Sequence, residues 1–217
     1  MHTLLLRLKG PMQSWGVQSL FTVRDTGREP SKSGVIGLLC AALGRPRTAP
    51  LDDLVRMRMG VRVDREGRVE MDYHTAMNVL KASGGIKETE VSRRYYLADA
   101  AFLVGLESDD LDLLRHLHDA LHDPVWPLYL GRKAFVPGEP VWLEDGLREG
   151  EDLLHALQTY PYIGLEPAPE RVRVAIEDEN GEIVRPDTPV SFAERTFAPR
   201  RVRMDFIPTS PVRKEVA

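Results

Sequence analysis

The order in which strand-like and helix-like patterns follow each other constrains the fold of this chain more than any other feature. In the strand-like segments, apolar residues either alternate with polar ones or form a continuous run. In two further segments, apolar residues recur at the spacing of a helix. The predicted elements are strand 3–9, helix 35–44, strands 57–63 and 69–74, strand 97–106, helix 109–121 and strand 126–130. Apart from one insertion, this order is close to β-α-β-β-α-β. We therefore predict an α+β fold of the ferredoxin-like (RRM-like) type.

The first predicted helix begins in a stretch that can hold a phosphate. The helix begins with Lys32, Ser33 and Gly34, Ser31 or Ser33 can cap it, and Gly44 suits its end. Free backbone N–H groups and the helix dipole favour an anion at such a start. An ordinary capped helix with a solvated lysine is the simpler interpretation. Ser31 stands where a Walker A motif has glycine, so nucleotide hydrolysis is not indicated.

The composition places few limits on the partners of the chain. Its 217 residues carry a net charge of −4, and its one cysteine, Cys40, fits a reducing cytosol. We expect a cytoplasmic protein without a signal peptide or a membrane span. Acidic residues concentrate in 107–123 and arginines in 195–203, while 1–35 and 81–96 lean basic. Because a fold can gather basic segments into one groove, RNA and DNA remain possible partners.

The apolar pattern fails between Thr75 and Ser92, just after a predicted hairpin of strands 57–63 and 69–74. This stretch has two adjacent glycines and no apolar period, which predicts a functional or a disordered loop. The sequence Arg-Arg-Tyr-Tyr follows at 93–96. It either grips a nucleic-acid backbone and stacks a base, or begins a strand with solvated arginines.

Two other loops carry residues of interest. Trp15 could stack on a base, but a tryptophan in a loop more often closes a core, and we predict the core role. Gly131, followed by Arg132 and Lys133, lets the backbone approach a ligand and offers a second phosphate contact.

The second half of the chain is predicted to be smaller and mostly β. Its elements are helix 151–159, strand 172–176, a hairpin turn at Asn180-Gly181 and strand 202–206. We therefore divide the chain into a first region, 1–139, with its insertion at about 75–92, and a second region, 140–217.

This sequence contains no clear set of catalytic residues. His118 and His122 are spaced as in a zinc motif, but no third ligand is indicated, so no metal and no cofactor are predicted. A metal-independent ribonuclease needs only a base and cations near a 2′-hydroxyl. Tyr73-His74 and Tyr95-Tyr96, with Lys87 or Lys133, could supply them, and no spacing singles out a pair.

With these motifs assembled, the chain resembles the CasD family, subunits of the type I-E CRISPR surveillance complex Cascade, within the RAMP superfamily. The resemblance covers most of residues 3–136 and is loose beyond about Pro140. It is carried in order by residues 6–16, 24–26, 30–39, 93–100 and 130–133.

The resemblance implies a ferredoxin-like palm, a protruding thumb hairpin at about 75–92, and a small C-terminal region. It implies a non-catalytic protein that caps and bends the 5′ handle of the CRISPR RNA (crRNA). Its neighbours would be the repeated backbone subunit and the large subunit of a complex that holds target DNA. A related I-C protein cuts RNA itself, so an endoribonuclease of CRISPR repeat RNA stays as the alternative, and a small-molecule phosphate-binding protein as a weaker one.

The resemblance also implies which residues meet the RNA, while the acidic helix 109–122 would face away from it. The expected RNA-contacting residues are Gln13, Ser14, Arg24, Lys32, Ser33, Arg93, Arg94, Tyr95, Arg132 and Lys133.

Overall fold

The computed structural model describes residues 1–16 and 22–211, and its strands form two sheets. The elements in chain order are β1 (His2–Lys9), β2 (Met12–Gln13), β3 (Val23–Arg24), α1 (Lys32–Ala42), α2 (Asp52–Val55), β4 (Arg58–Arg65), β5 (Arg68–Leu80), β6 (Ile86–Ala98), β7 (Ala101–Ser108), α3 (Leu111–His122), β8 (Leu147–Arg148), α4 (Leu153–Thr159), β9 (Arg171–Glu177), β10 (Ile183–Ser191) and β11 (Thr196–Pro208). None of the helices in this part of the chain has the length and hydropathy needed to cross a bilayer.

The larger sheet contains the predicted ferredoxin-like core. Its seven strands are antiparallel and run in the order β10-β11-β9-β4-β7-β1-β8. Within it, β4-β7-β1-β8 and helices α1 and α3 reproduce the β-α-β-β-α-β arrangement. The α+β, ferredoxin-like prediction is confirmed.

The fourth strand of that core lies later in the chain than predicted. Residues 126–130 are not a strand, because the amides of Val125 and Trp126 donate to the carbonyls of Ala42 and Ala41 at the end of α1. The edge position is filled instead by β8, where Leu147 pairs with Leu4 of β1.

Both faces of the sheet are covered, which explains the continuous apolar run of β1. Leu4, Leu6 and Leu8 pack in the cluster that holds α1 and α3, whereas Leu5 belongs to the cluster around α4. All four side chains are fully buried. Successive strand residues point to opposite faces, so a strand that is covered on both faces is apolar at most of its positions.

Strands β5 and β6 form a long antiparallel ribbon in the second sheet, where β6 also pairs with β2 and β3. Their register runs from Arg68 opposite Ala98 to Leu80 opposite Ile86. The predicted hairpin between 57–63 and 69–74 is therefore wrong: β4 pairs with β7 and β9, and β5 pairs with β6. The irregular stretch at 75–92 is the outer part of this ribbon, where solvated strands need no apolar pattern.

The C-terminal strands extend the same sheet instead of forming another. Strand β9 pairs with β4, so the larger sheet is continuous across the predicted boundary at 139–140. The helix and both strands predicted after residue 150 are present as α4, β9 and β11. Asn180 and Gly181 do not make a β9–β10 hairpin, because β11 lies between those strands. Residues 212–217 of the predicted second region lie outside the described residues.

The rest of the chain should fold without the outer part of the ribbon. None of residues 75–91 is buried, and His74 lies opposite Ser92 in the register. Replacing 75–91 by Asn-Gly closes the ribbon with a favoured two-residue turn. We expect the free energy of unfolding in urea to change by about 1 kcal/mol or less. Loss of cooperative unfolding would show instead that the outer ribbon supports the core.

Candidate nucleic-acid interface

The start of α1 is capped by the chain itself. Ser31 is the N-cap, and its hydroxyl accepts from the Gly34 amide at 3.3 Å. Asp187 Oδ2 accepts from the Lys32 amide at 2.9 Å, and Arg200 holds the same carboxylate at 2.6 and 2.9 Å. A carboxylate thus occupies the place of a bound anion, and the prediction that this helix start holds a phosphate is corrected.

Lys32 is buried and paired, so its side chain is not available to RNA. It is 2% exposed, and its Nζ lies 2.9 Å from both carboxylate oxygens of Glu177 in β9. Burial lowers the pKa of Lys32, and the attraction of Glu177 offsets this only in part. In the structure Lys32 fastens α1 to the C-terminal strands, and its expected role as an RNA contact is not supported.

Gln13 is likewise fully engaged within the protein. Its side-chain amide donates to the carbonyls of Leu8 and Ala100 at 3.0 and 2.9 Å, and its carbonyl accepts from the Trp15 indole at 3.1 Å. It is 0% exposed and Trp15 is 2% exposed. The core role predicted for Trp15 is confirmed, and Gln13 positions the neighbouring loop instead of reaching a ligand.

Three arginines from distant parts of the chain meet at one place. Arg24 of β3 pairs in parallel register with Arg94 of β6. Arg132 donates from Nη2 to the Tyr95 carbonyl at 2.8 Å and to the Arg24 carbonyl at 3.4 Å. We call Arg24, Arg94 and Arg132 the arginine cluster.

The arginine cluster carries positive charge that the protein offsets only in part. Burial lowers the pKa of Arg132, repulsion from Arg94 and Arg24 lowers it further, and Asp72 and Asp25 act in the opposite direction. The pKa of Arg94 is lowered by burial and then by Arg24, with Asp72 offsetting only part. Within residues 1–16 and 22–211, none of the three lies within ion-pair distance of a carboxylate. Unpaired guanidiniums held together are suited to bind phosphates.

Of the other residues predicted to contact RNA, some lie beside the arginine cluster and some lie away from it. The Ser14 hydroxyl donates to the Tyr95 carbonyl at 3.4 Å, which puts both residues beside the arginine cluster. Arg93 is exposed on the ribbon face opposite to that of Arg94, because adjacent strand residues point to opposite faces. Lys133 is exposed next to Arg132, and half-buried Ser33 lies 3.4 Å from the Ser31 hydroxyl at the start of α1.

Gly131 allows the Arg132 loop to approach the first loop of the chain. Its φ is +91°, and a Cβ built there would lie 1.7 Å from the Ser14 carbonyl oxygen. Only glycine tolerates this contact and this backbone conformation. The sequence indicated a close approach at Gly131, and its partner in the structure is the protein's own backbone at Ser14.

Two of the residues considered for ribonuclease chemistry, His74 and Tyr96, lie apart on the ribbon. His74 lies opposite Ser92 and Tyr96 opposite Glu70, about 13 Å apart along the ribbon at the usual rise per residue. Tyr96 packs against Phe135 with ring centroids 5.8 Å apart.

The histidines of α3 serve a packing role in this structure. His118 Nε2 lies 2.9 Å from the Leu143 carbonyl, and the rings of His118 and His122 contact Trp142. The described residues contain no group of three or more side chains arranged to hold a metal ion.

Sequence reasoning missed the residues that hold α1 in place. Glu177 and Asp187 lie about 150 positions after Lys32 and contact it only because β9 and β10 fold back onto the helix. Arg200 of β11 holds Asp187 in place. Nothing in the local sequence marks these residues as partners of Lys32.

Comparison with known proteins identifies the family. Residues 3–203 match the family described as "CRISPR-associated protein (Cas_Cas5)". The chain belongs to the Cas5 family. The match extends well past residue 140, so the resemblance that seemed loose there holds for the C-terminal strands as well.

Individual relatives agree with this assignment. The chain is 33% identical over 212 residues to the "CRISPR system Cascade subunit CasD" of Escherichia coli K12, covering 91% of this chain and 92% of that protein. A structure described as "Crystal structure of Cas protein" is 46% identical, with a TM-score of 0.81 and coverage of 97% and 98%. A chain of a "CRISPR RNA-guided surveillance complex" is 35% identical, with a TM-score of 0.80 and coverage of 95% and 90%.

Lys32→Ala should lower stability without weakening RNA binding directly. It removes one partner of a buried ion pair, which costs about 3 kcal/mol in the free energy of unfolding. Lys32→Met combined with Glu177→Gln should recover most of this loss, because both charges are gone. Urea denaturation measures the effect. Unchanged stability together with weaker RNA binding would return Lys32 to the interface.

Arg132→Ala and Arg94→Ala should each weaken RNA binding by about 1–3 kcal/mol if their guanidiniums contact phosphates. Each should also reduce the slope of log affinity against log salt by about 0.7, as expected for one phosphate lost from a single strand. Titrations of labelled repeat-derived RNA at several salt concentrations measure both. Arg115→Ala removes the same charge from α3 and is the matched control. A slope that Arg115→Ala changes as much would indicate a general charge effect.

Proposed function

We propose that this chain is a non-catalytic subunit of a type I-E CRISPR surveillance complex that binds the 5′ handle of the crRNA. The observation that carries the proposal is the arginine cluster, whose positive charge is offset only in part, in a member of the Cas5 family. A relative at 33% identity is named as a Cascade subunit, and a structural neighbour belongs to an RNA-guided surveillance complex.

The arginine cluster supplies the binding step. Its three guanidiniums each present several donors in a plane and can take phosphate oxygens in pairs. Because the groups come from β3, β6 and the Arg132 loop, they meet phosphates from different directions. We infer that an RNA strand bends as it follows these contacts, in keeping with a role in capping and bending a 5′ handle.

The β5–β6 ribbon corresponds to the thumb in this proposal. Its apolar side chains lie largely in solvent: Met71 is 48% exposed, Tyr73 61% and Met77 65%. A row of exposed apolar groups on a protruding ribbon marks an interaction site. We assign it to docking beside the repeated backbone subunit and the large subunit, within a cytoplasmic complex that holds target DNA.

A tagged pull-down from the native cell tests the proposal. We expect several unlike subunits and one uniform RNA with a repeat-derived 5′ end to come down with the wild-type chain. Arg94→Ala combined with Arg132→Ala should lose RNA relative to wild type, while Arg115→Ala retains it. RNA of random sequence, or no RNA, would reject the proposal.

The alternative endoribonuclease is tested in the same preparation. The purified chain, incubated with repeat RNA and without metal, should leave the RNA intact. Cleavage that His74→Ala or Tyr96→Phe abolishes would replace the capping role by a processing one.

A further inference from the structure

A pocket of about 230 Å³ opens at the base of the β5–β6 ribbon. Its walls are the end of β1, the end of β4, the turn between β6 and β7, and two loops that contain residues 138–139 and 164–165. The residues that shape it are Lys9, Pro11, Arg65, Asp99, Glu139 and Leu165. We call it the ribbon-base pocket.

The ribbon-base pocket and the arginine cluster lie on different sides of the larger sheet. Leu8 packs in the cluster of apolar residues that holds α1, so the adjacent Lys9 points to the opposite face of the sheet. The loop that carries Arg132 lies between Leu130 and Phe135, which both pack in the α1 cluster. The pocket is therefore separate from the surface assigned to RNA.

Hydrogen bonds hold the walls of the pocket in place. The Asp99 amide donates to the Pro11 carbonyl at 3.0 Å, which fixes the β6–β7 turn to the end of β1. The Gly138 amide donates to the Lys9 carbonyl at 2.9 Å and fixes the second wall. The third wall follows Tyr162, which is buried in the apolar cluster around α4. The pocket is thus preformed and needs no rearrangement to accept a partner.

Four cations around the pocket share two carboxylates. The cations are Arg7, Lys9, Arg65 and Arg68, and the carboxylates are those of Glu139 and Asp99. Glu139 lies 2.8 and 2.6 Å from the first two cations, whereas Asp99 lies 3.8 and 3.7 Å from the other two. Two positive charges are left in excess, and the long contacts place this excess near Asp99. The pocket therefore attracts a negatively charged partner.

Apolar groups stand in solvent at the edge of the same pocket. Leu165 lines it and is 55% exposed, and Val136, whose carbonyl lies against the pocket residue Gly10, is 63% exposed. The volume is below the roughly 300–1,000 Å³ that is usual for small-molecule sites and suits one side chain. No aromatic residue of the described part of the chain lines the pocket, so it offers a nucleobase nothing to stack on.

We propose that the ribbon-base pocket docks a partner subunit that inserts one apolar side chain flanked by acidic residues. The apolar side chain would fill the pocket beside Leu165, and its acidic neighbours would meet Arg65 and Arg68. The inference rests on the proposed function in that the chain works within a complex of several subunits. It adds a docking surface on the side of the sheet away from the arginine cluster, with the chemistry of the segment that binds there.

A photo-crosslinking amino acid at Leu165 tests the inference in the intact complex. Leu165→p-benzoylphenylalanine is introduced into the tagged chain, the complex is purified from the native cell and irradiated, and mass spectrometry identifies the attached peptide. We expect one peptide from a different subunit, with acidic residues next to the point of attachment. Val184, which is also 55% exposed but lies on β10, carries the same group in the matched control and should not give this peptide.

Charge reversal ties the crosslink to the basic groups of the pocket. Arg65→Glu combined with Arg68→Glu should lower the yield of the crosslinked peptide about tenfold or more, because like charges would then face each other. Arg56→Glu combined with Arg115→Glu changes the net charge equally at exposed positions elsewhere and should leave the yield unchanged. Both double variants should bind repeat-derived RNA equally well.

A single substitution guards against a folding defect of the double variant. Arg68→Glu alone changes a side chain that is 75% exposed, and it should lower the crosslinking yield in the same direction. Urea denaturation should give the same free energy of unfolding for this variant as for the wild-type chain.

The contrary outcomes are distinct. A crosslink from Leu165 to RNA, to a second copy of this chain or to a segment without acidic residues would reject the proposed docking surface. A yield no higher than that from Val184 would reject it as well, and in each case the proposed function stands. Failure of RNA and of other subunits to co-purify with the wild-type chain would reject the proposed function itself.

Discussion

The buried ionic contact between the start of α1 and the C-terminal strands is the interaction on which the rest of this structure depends. Lys32 pairs with Glu177 of β9, and Asp187 of β10 accepts from the Lys32 amide while Arg200 of β11 holds Asp187. Charges removed from water are costly unless each finds a partner in good geometry. One arrangement of helix and strands satisfies all four groups, so this contact sets where α1 lies on the sheet.

A second ionic contact next to it has the same effect. The Glu29 carboxylate is 4% exposed and lies between Arg173 and Arg185. Burial disfavours its charged form, but attraction to Arg185 and hydrogen bonding from Arg173 outweigh burial, so the pKa of Glu29 is lowered. The loop before α1 is thereby tied to β9 and β10, and the C-terminal region becomes part of the site's support.

The arginine cluster differs from these two ionic contacts. Many arginines of the chain are paired, as Arg62 is with Asp64 inside the protein. Arg24 and Arg94 are instead strand partners, and Arg132 donates to the carbonyls of Arg24 and Tyr95. Their charges repel each other, and nearby carboxylates offset this only in part. A net charge of −4 is therefore no obstacle to an anionic ligand, since the acids are used elsewhere. The Arg132 loop reaches the cluster through the close contact of Gly131 with the Ser14 carbonyl oxygen, so one backbone contact shapes this surface.

Local pattern by itself determined several elements of this protein: the buried strand β1, the helix α1 with a serine at its start as the cap, the helix α3, and the close approach at Gly131. These follow from periodicity, capping and backbone conformation, which act over a few residues. Only the tertiary structure decided which strands pair, that the fourth core strand is β8, and that Lys32 is buried while Arg94 and Arg132 stay unpaired. The physical reason is that a charged residue looks the same in the sequence whether its side chain contacts water, RNA or a carboxylate. Which of these it contacts depends on segments that lie far away in the chain.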